Sequence, residues 1–258
     1  MNTMIKSAAY TCRLLMIPFL MVVLLTDKSW SGSKNGWVQY FGNQSFRCVA
    51  SRGDECWIGN YGSGVYRLNV KTSEIINYTN VNSGLPSNLV SDIAIGPDNV
   101  VWVATAGGLA AFDGNSWNVF TRNNSPFISN NISAVDIDRS GGVWVSLSGG
   151  FCCRRSSEWI DITERYPGFP LELLSGTTKL SCAGTEVWLQ FLNSAVWFDN
   201  GTWGRISEIN SALYVGKDGT RWFMSTNNTS LTGLKGDTIR SIPVQQSYLW
   251  GSFFIDSS

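Results

Sequence analysis

Histidine is missing from the sequence altogether. Without it there is no Ser-His-Asp or Cys-His nucleophile pair, no histidine-dependent lyase chemistry and no imidazole to hold a metal. Charge is sparse as well: charged residues make up 15% of the chain and cancel to zero formal net charge, so no basic field draws nucleic acid. No CxxC spacing occurs among the 6 cysteines, which argues against a zinc site, and no cofactor motif appears. Long apolar runs are lacking too. The longest, Leu14–Leu25, has 12 residues against the roughly 20 that a membrane-spanning helix needs.

That short run has a clear context. Residues 1–13 carry Lys6 and Arg13 but no acid, and Thr26, Asp27 and Lys28 follow the apolar stretch, which is the layout of a secretory signal. A signal over 1–33 is expected, with small residues at Ser31 and Ser33 near the cut, and the mature protein is then periplasmic or secreted. Membrane contact arises only if the segment is retained. Export leaves Cys48, Cys56, Cys152, Cys153 and Cys182 in an oxidising compartment, an odd number. Cys48 and Cys56 flank a tight turn whose pairing places Cys48 opposite Trp57, so the thiols read as small buried hydrophobes.

What is present in abundance is tryptophan, 12 in all, and it recurs. Trp57, Trp102, Trp144, Trp188 and Trp222 are separated by 45, 42, 44 and 34 residues, and Trp117, Trp159 and Trp203 each follow one of them by 15. Such a period dictates the architecture. Within one unit, VSDIAI (90–95), the turn GPDN (96–99), VVWVAT (100–105), LAAF (109–112) and WNVFT (117–121) read as a four-stranded meander. The next copy runs ISAVDI (132–137), VWVSL (143–147), FCC (151–153) and WIDIT (159–163). Short, evenly spaced strands exclude a βαβ sheet and predict an all-β propeller of four-stranded antiparallel blades, about five complete plus an incomplete sixth. The propeller occupies 34–258, with repeats near 42–79, 80–121, 122–163, 164–207 and 208–243 and a partial blade at 244–258. The tryptophans are expected between blades.

Residues 83–121 contain Gly84-Leu85-Pro86-Ser87, Trp102-Val103-Ala104-Thr105, Gly107-Gly108-Leu109, Phe112-Asp113-Gly114 and Trp117 in one run. This stretch resembles, almost from end to end, the two-component regulator propeller repeat of periplasmic sensor regions. Residues 122–163 keep the asparagine-rich entry, Gly142, Trp144 and Trp159, but carry Cys152 and Cys153 where the family pattern has other residues. The resemblance implies a propeller and a sensor-like role in signal transduction. Members of this kind carry longer propellers, a membrane span and a kinase, so the chain also reads as a truncated remnant of a longer sensor.

The two ends of the chain supply one unmatched strand each. NGWVQYF (35–41) has the form of a fourth strand whose blade should lie at the C-terminus, where SYLWGSFFI (247–255) supplies only a first strand.

For function, the sequence favours a non-catalytic propeller that binds a ligand, an oligosaccharide or a protein partner. Loops after the second and fourth strands would form the site, with Asn60, Tyr61, Arg122, Phe127, Arg165, Tyr166 and Phe169 suited to stacking on rings and pairing with carboxylates. The alternative is a carboxylate-dependent glycan-cleaving enzyme drawing on Asp92, Asp136, Asp138, Asp161, Glu172 or Asp218, with Asp92 and Asp136 at equivalent places in their first strands. Arg52-Gly53-Asp54 reads as a hairpin turn and GKDGTRW (216–222) as another.

Overall fold

The computed structural model describes residues 46–169, 179–183, 185–191 and 194–207 and, as backbone, the strands 11–17, 20–26, 37–39, 210–215, 221–224, 230–235 and 238–243. The chain divides into two compact units. In the first, β1 (Thr11–Ile17) pairs antiparallel with β2 (Leu20–Thr26), and β2 pairs with β3 (Trp37–Gln39). The apolar segment is therefore a hairpin here. The strand expected to complete the last blade joins β2 instead, because an adjacent strand with unpaired backbone groups is the nearest template. The partial blade at 244–258 lies outside the described residues.

The second unit holds five antiparallel meanders, each in chain order. Blade one is β4 (Phe46–Arg52), β5 (Glu55–Asn60), β6 (Gly64–Asn69) and β7 (Ile75–Tyr78). Blade two is β8 (Val90–Ile95), β9 (Val101–Thr105), β10 (Gly108–Phe112) and β11 (Trp117–Phe120), and blade three is β12 (Ile132–Ile137), β13 (Val143–Leu147), β14 (Gly150–Arg155) and β15 (Glu158–Asp161). Blade four is β16 (Lys179–Ala183), β17 (Glu186–Gln190), β18 (Ser194–Asp199) and β19 (Thr202–Ser207), and blade five is β20 (Asn210–Val215), β21 (Arg221–Met224), β22 (Ser230–Lys235) and β23 (Thr238–Pro243). First strands of successive blades lie side by side, β8 against β12, β12 against β16 and β16 against β20, so they line the axis and the fourth strands lie outermost. The all-β propeller with five complete blades stands.

The second strands show why the sequence reads as it does. All of Val101–Thr105 is buried, since both faces of the blade are covered. Val101 and Val103 join Trp57 and Val65 of blade one, whereas Trp102 and Ala104 join Val143, Val145 and Cys152 of blade three. Three of the second-strand tryptophans meet an aromatic group of the next blade: Trp57 lies 5.6 Å from Phe112, Trp102 6.5 Å from Trp159 and Trp144 5.9 Å from Phe198. The later tryptophans pack backwards, Trp117 on Tyr78, Trp159 on Phe120 and Trp203 on Phe151. Trp188 stacks on Trp197 at 5.2 Å. Trp222 pairs through its backbone with Tyr214 and Gly233, and its side chain lies outside the described residues. Removing one such buried indole costs about 3–5 kcal/mol.

Two local expectations are corrected. The strand WIDIT ends at Asp161, whose side chain accepts the Glu164 N–H and starts a single helical turn, α1 (Ile162–Arg165). Asp92 and Asp136 are not equivalent: Asp92 lies opposite Ala104 beside a bulge, whereas Asp136 lies opposite Trp144, two residues further along its strand. The five cysteines from Cys48 to Cys182 are free thiols. Cys48 sits beside Gly59, where a Cβ would come within 2.4 Å of its sulfur.

Candidate functional site

In each meander the second-to-third turn and the connection to the next blade fall at the same end, here called the upper edge. Hydrogen bonds tie these segments together around the rim: the Gly62 N–H donates to the Asn88 carbonyl, Ala106 to Leu89 and Ser148 to Asn131. The connections over the first three blades are built alike. The Thr79 N–H donates to Asn82 and Thr121 to Asn124; the amides of Asn82 and Asn124 reach the carbonyls of Asn77 and Val119; the hydroxyls of Ser83 and Ser125 close on Thr79 and Thr121. Asn88 and Asn130 receive the N–H groups of Asn80 and Arg122. Side chains that look available for ligands in the sequence are thus consumed in holding their own loops.

The same construction settles where the candidate residues lie. Leu85, Phe127 and Phe169 recur at intervals of 42 and are all buried, at 2%, 3% and 6% exposure. Phe127 and Phe169 abut Trp159 and Trp203 edge-on at 4.8 and 4.9 Å, so they are anchors of the connections and not a stacking platform. Asn60 is buried and accepts the Ser63 N–H. Tyr166 packs on Phe198, and its carbonyl accepts the Trp203 indole N–H. Tyr61, Arg122 and Arg165 face outward, with 55% of Tyr61 exposed.

Three residues that the sequence reading passed over join them. Arg47, on the first strand, lies over the Tyr61 ring at 5.0 Å, and Leu89 and Ile128 are exposed on the same edge. Arg165 lies over Tyr166 in the same way, at 5.8 Å. The guanidinium groups of Arg47, Arg122 and Arg165 bond to no carboxylate among the described residues. A signal was available: blade one carries Tyr61 in its 60–64 turn, where the 105–108 and 147–150 turns of blades two and three have Ala106 and Ser148.

The carboxylates are placed otherwise. Asp92 accepts the Ile93 N–H and, across the blade boundary, the Val135 N–H at 3.1 Å; Asp136 accepts Ile137 and, across the next boundary, Cys182 at 2.7 Å. Each is a joint between first strands. Burial pushes the Asp92 carboxyl up to about 7, reinforced by the Asp136 charge, and burial also raises Asp136. Asp138 accepts the indole N–H of Trp144 at 2.8 Å and the Arg155 guanidinium at 2.7 Å at the lower edge, and Asp161 caps α1. Glu172 and Asp218, with the 216–222 turn, lie outside the described residues. Arg52 donates to the carbonyls of Gly96 and Pro97 and Asp54 pairs with Lys71, so the Arg-Gly-Asp triplet is a tied turn.

The likeness to known proteins is one of fold. No family model and no curated protein matches the chain. Among solved structures, the extracellular domains of two hybrid two-component systems of B. thetaiotaomicron align at 14% and 15% identity over 83% and 80% of this chain, each with a TM-score of 0.59. The chain spans 31% of each of those domains. A catalytically inactive histidine-to-alanine variant of virginiamycin B lyase from Staphylococcus aureus, solved with quinupristin, aligns at 11% identity over 79% of this chain and 71% of its own, with a TM-score of 0.62. At these identities the resemblance of residues 83–121 to sensor propellers holds for the fold.

Proposed function

We propose that this chain is an exported recognition propeller that binds its ligand on the upper edge and performs no catalysis. The observation that carries this reading is the division of labour among polar residues: Asp92 and Asp136 sit at blade joints, Asp138 in a turn and Asp161 at a helix cap, whereas Arg47, Tyr61, Arg122 and Arg165 stand exposed with no carboxylate partner among the described residues. The fold shared with extracellular domains of two-component systems supports a sensor-like setting. The lyase neighbour is inactivated by loss of a histidine, and this chain has none.

The test is a binding screen of the full chain against a glycan array and a displayed random-peptide library, repeated with Tyr61→Ala. Retention that falls with the substitution supports the reading. Retention of no probe, or retention indifferent to the edge, counts against it. Turnover of any retained glycan that is abolished in Asp92→Asn would replace the reading with the carboxylate enzyme.

A further inference from the structure

We infer that the upper edge over the first three blades docks an acidic segment of a partner protein that also bears apolar side chains. The inference rests on the recognition reading and names the class of partner.

Three observations point the same way. The first is charge. The connections that make this arc, residues 60–64, 79–89, 106–107, 121–131 and 148–149, contain neither aspartate nor glutamate. The lower-edge turns carry Asp54, Asp98, Asp113 and Asp138, and the ion pairs Arg67–Glu55, Lys71–Asp54 and Arg155–Asp138 all lie there. Arg47 and Arg122 therefore present positive charge on a stretch of the edge with no acid of its own, Asp161 and Glu164 lying on the next connection. A complementary partner supplies the carboxylates, and Arg presents them a planar fork of donors.

The second is apolar exposure. Tyr61 is 55% exposed, Leu89 36%, Ile128 50% and Val81 89%, all on this edge. These side chains are not needed to close the blades, whose interfaces are already filled by the tryptophan clusters. Ile128 rests over the Gly149 turn, where a Cβ would come within 2.6 Å of its Cδ1, so the loop is held in a fixed position while half of the side chain faces outward. Tyr with Arg, beside aliphatic groups, is the composition of protein contact surfaces.

The third is the fate of the asparagines. An edge built for neutral sugar hydroxyls would display free amides. Here Asn82, Asn88, Asn124 and Asn130 are engaged within their own connections, and Asn131 donates to the Ser148 hydroxyl. What remains outward is Arg47 and Arg122, the apolar side chains and two exposed amides, Asn80 and Asn123, a balance of charge and apolar surface that fits an acidic polypeptide better than a neutral glycan.

The experiment pans a phage-displayed library of random peptides against the immobilised full chain, with heparin and polygalacturonate measured separately as non-protein polyanions. Selected peptides are expected to combine Asp or Glu with aromatic or aliphatic residues. The Kd of a selected peptide should weaken about tenfold or more in an Arg47→Glu, Arg122→Glu double variant and in Tyr61→Ala, and stay unchanged in Lys71→Glu at the lower edge. Near-UV circular dichroism checks that each variant keeps its packed aromatics. Selected peptides without acidic enrichment, or with affinity indifferent to the double reversal, overturn the inference and leave the recognition reading standing. Tight retention of heparin or polygalacturonate without acidic peptides overturns it in favour of an anionic polysaccharide. Retention of nothing in any probe class defeats the recognition reading itself.

Discussion

At the lower edge of blade three, Asp138 gathers the N–H groups of Ser140 and Gly142, the Trp144 indole and the Arg155 guanidinium, and Arg155 also lies over the Trp144 ring. At the upper edge of the same blade boundary, the Arg122 side chain reaches no carboxylate among the described residues, and only its backbone is used, against Asn130. One edge spends its charge on holding the second-strand tryptophan in register. The other keeps charge on a scaffold that is already closed by backbone and asparagine bonds. The contrast teaches that polar residue type alone does not mark a site in a repeat protein; what marks it is a polar group that its own repeat does not need.

The contrast can be broken most forcefully at the blade interface. Trp144→Ala removes a buried indole together with the Asp138 bond and is expected to lower stability by about 3–5 kcal/mol, read from urea unfolding. Phe127→Ala, at the anchor of an upper connection, should cost about 3 kcal/mol. If Phe127 were a ligand platform, the loss would appear in binding with little change in the unfolding midpoint.

Asp138→Ala should cost about 2–3 kcal/mol, because it leaves the Trp144 indole N–H buried without its acceptor. At the upper edge, Arg122→Ala should change stability by no more than about 0.5 kcal/mol. Equal losses at the two edges would erase the distinction.

The joints between first strands add a pH dependence. The Asp92 carboxyl titrates at about 7 in the folded chain, above the roughly 3.9 of an unfolded aspartate. Between these values the folded state holds a proton that the unfolded state has released, so stability falls as pH rises through that window and levels off above it. Asp136, on the next first strand, adds to the fall because its carboxyl too is raised by burial. Asp92→Asn should flatten much of the slope of the unfolding midpoint between pH 4.5 and 7.5. An unchanged slope would remove Asp92 from this role.

Much of the fold was legible because each blade repeats the same physical demand. A strand covered on both faces must be apolar at every position, and the tryptophan that fills the gap to the next blade must recur at the blade period; Trp57, Trp102 and Trp144 announce this in one dimension. The helix turn after Asp161 was less legible, since WIDIT has strand composition and only the reach of Asp161 to the Glu164 N–H ends the strand. The candidate site was read in part. Tyr61 and Arg122, picked for their place after second and fourth strands, are exposed on the upper edge. Phe127 and Phe169 misled because aromatic loop residues resemble a binding platform until their 42-residue spacing with Leu85 shows them to be anchors.

The sequence by itself determined the meander, the blade count and the burial of the recurring tryptophans, because those follow from local alternation, turn chemistry and a period that every copy repeats. Only the tertiary structure decided which polar groups are spent and which are free. A hydrogen bond from Asp92 to Val135, or from Asp136 to Cys182, joins residues 43 and 46 positions apart, and no local pattern specifies such a pairing. The free groups at the upper edge became visible only once those long-range bonds had claimed the rest.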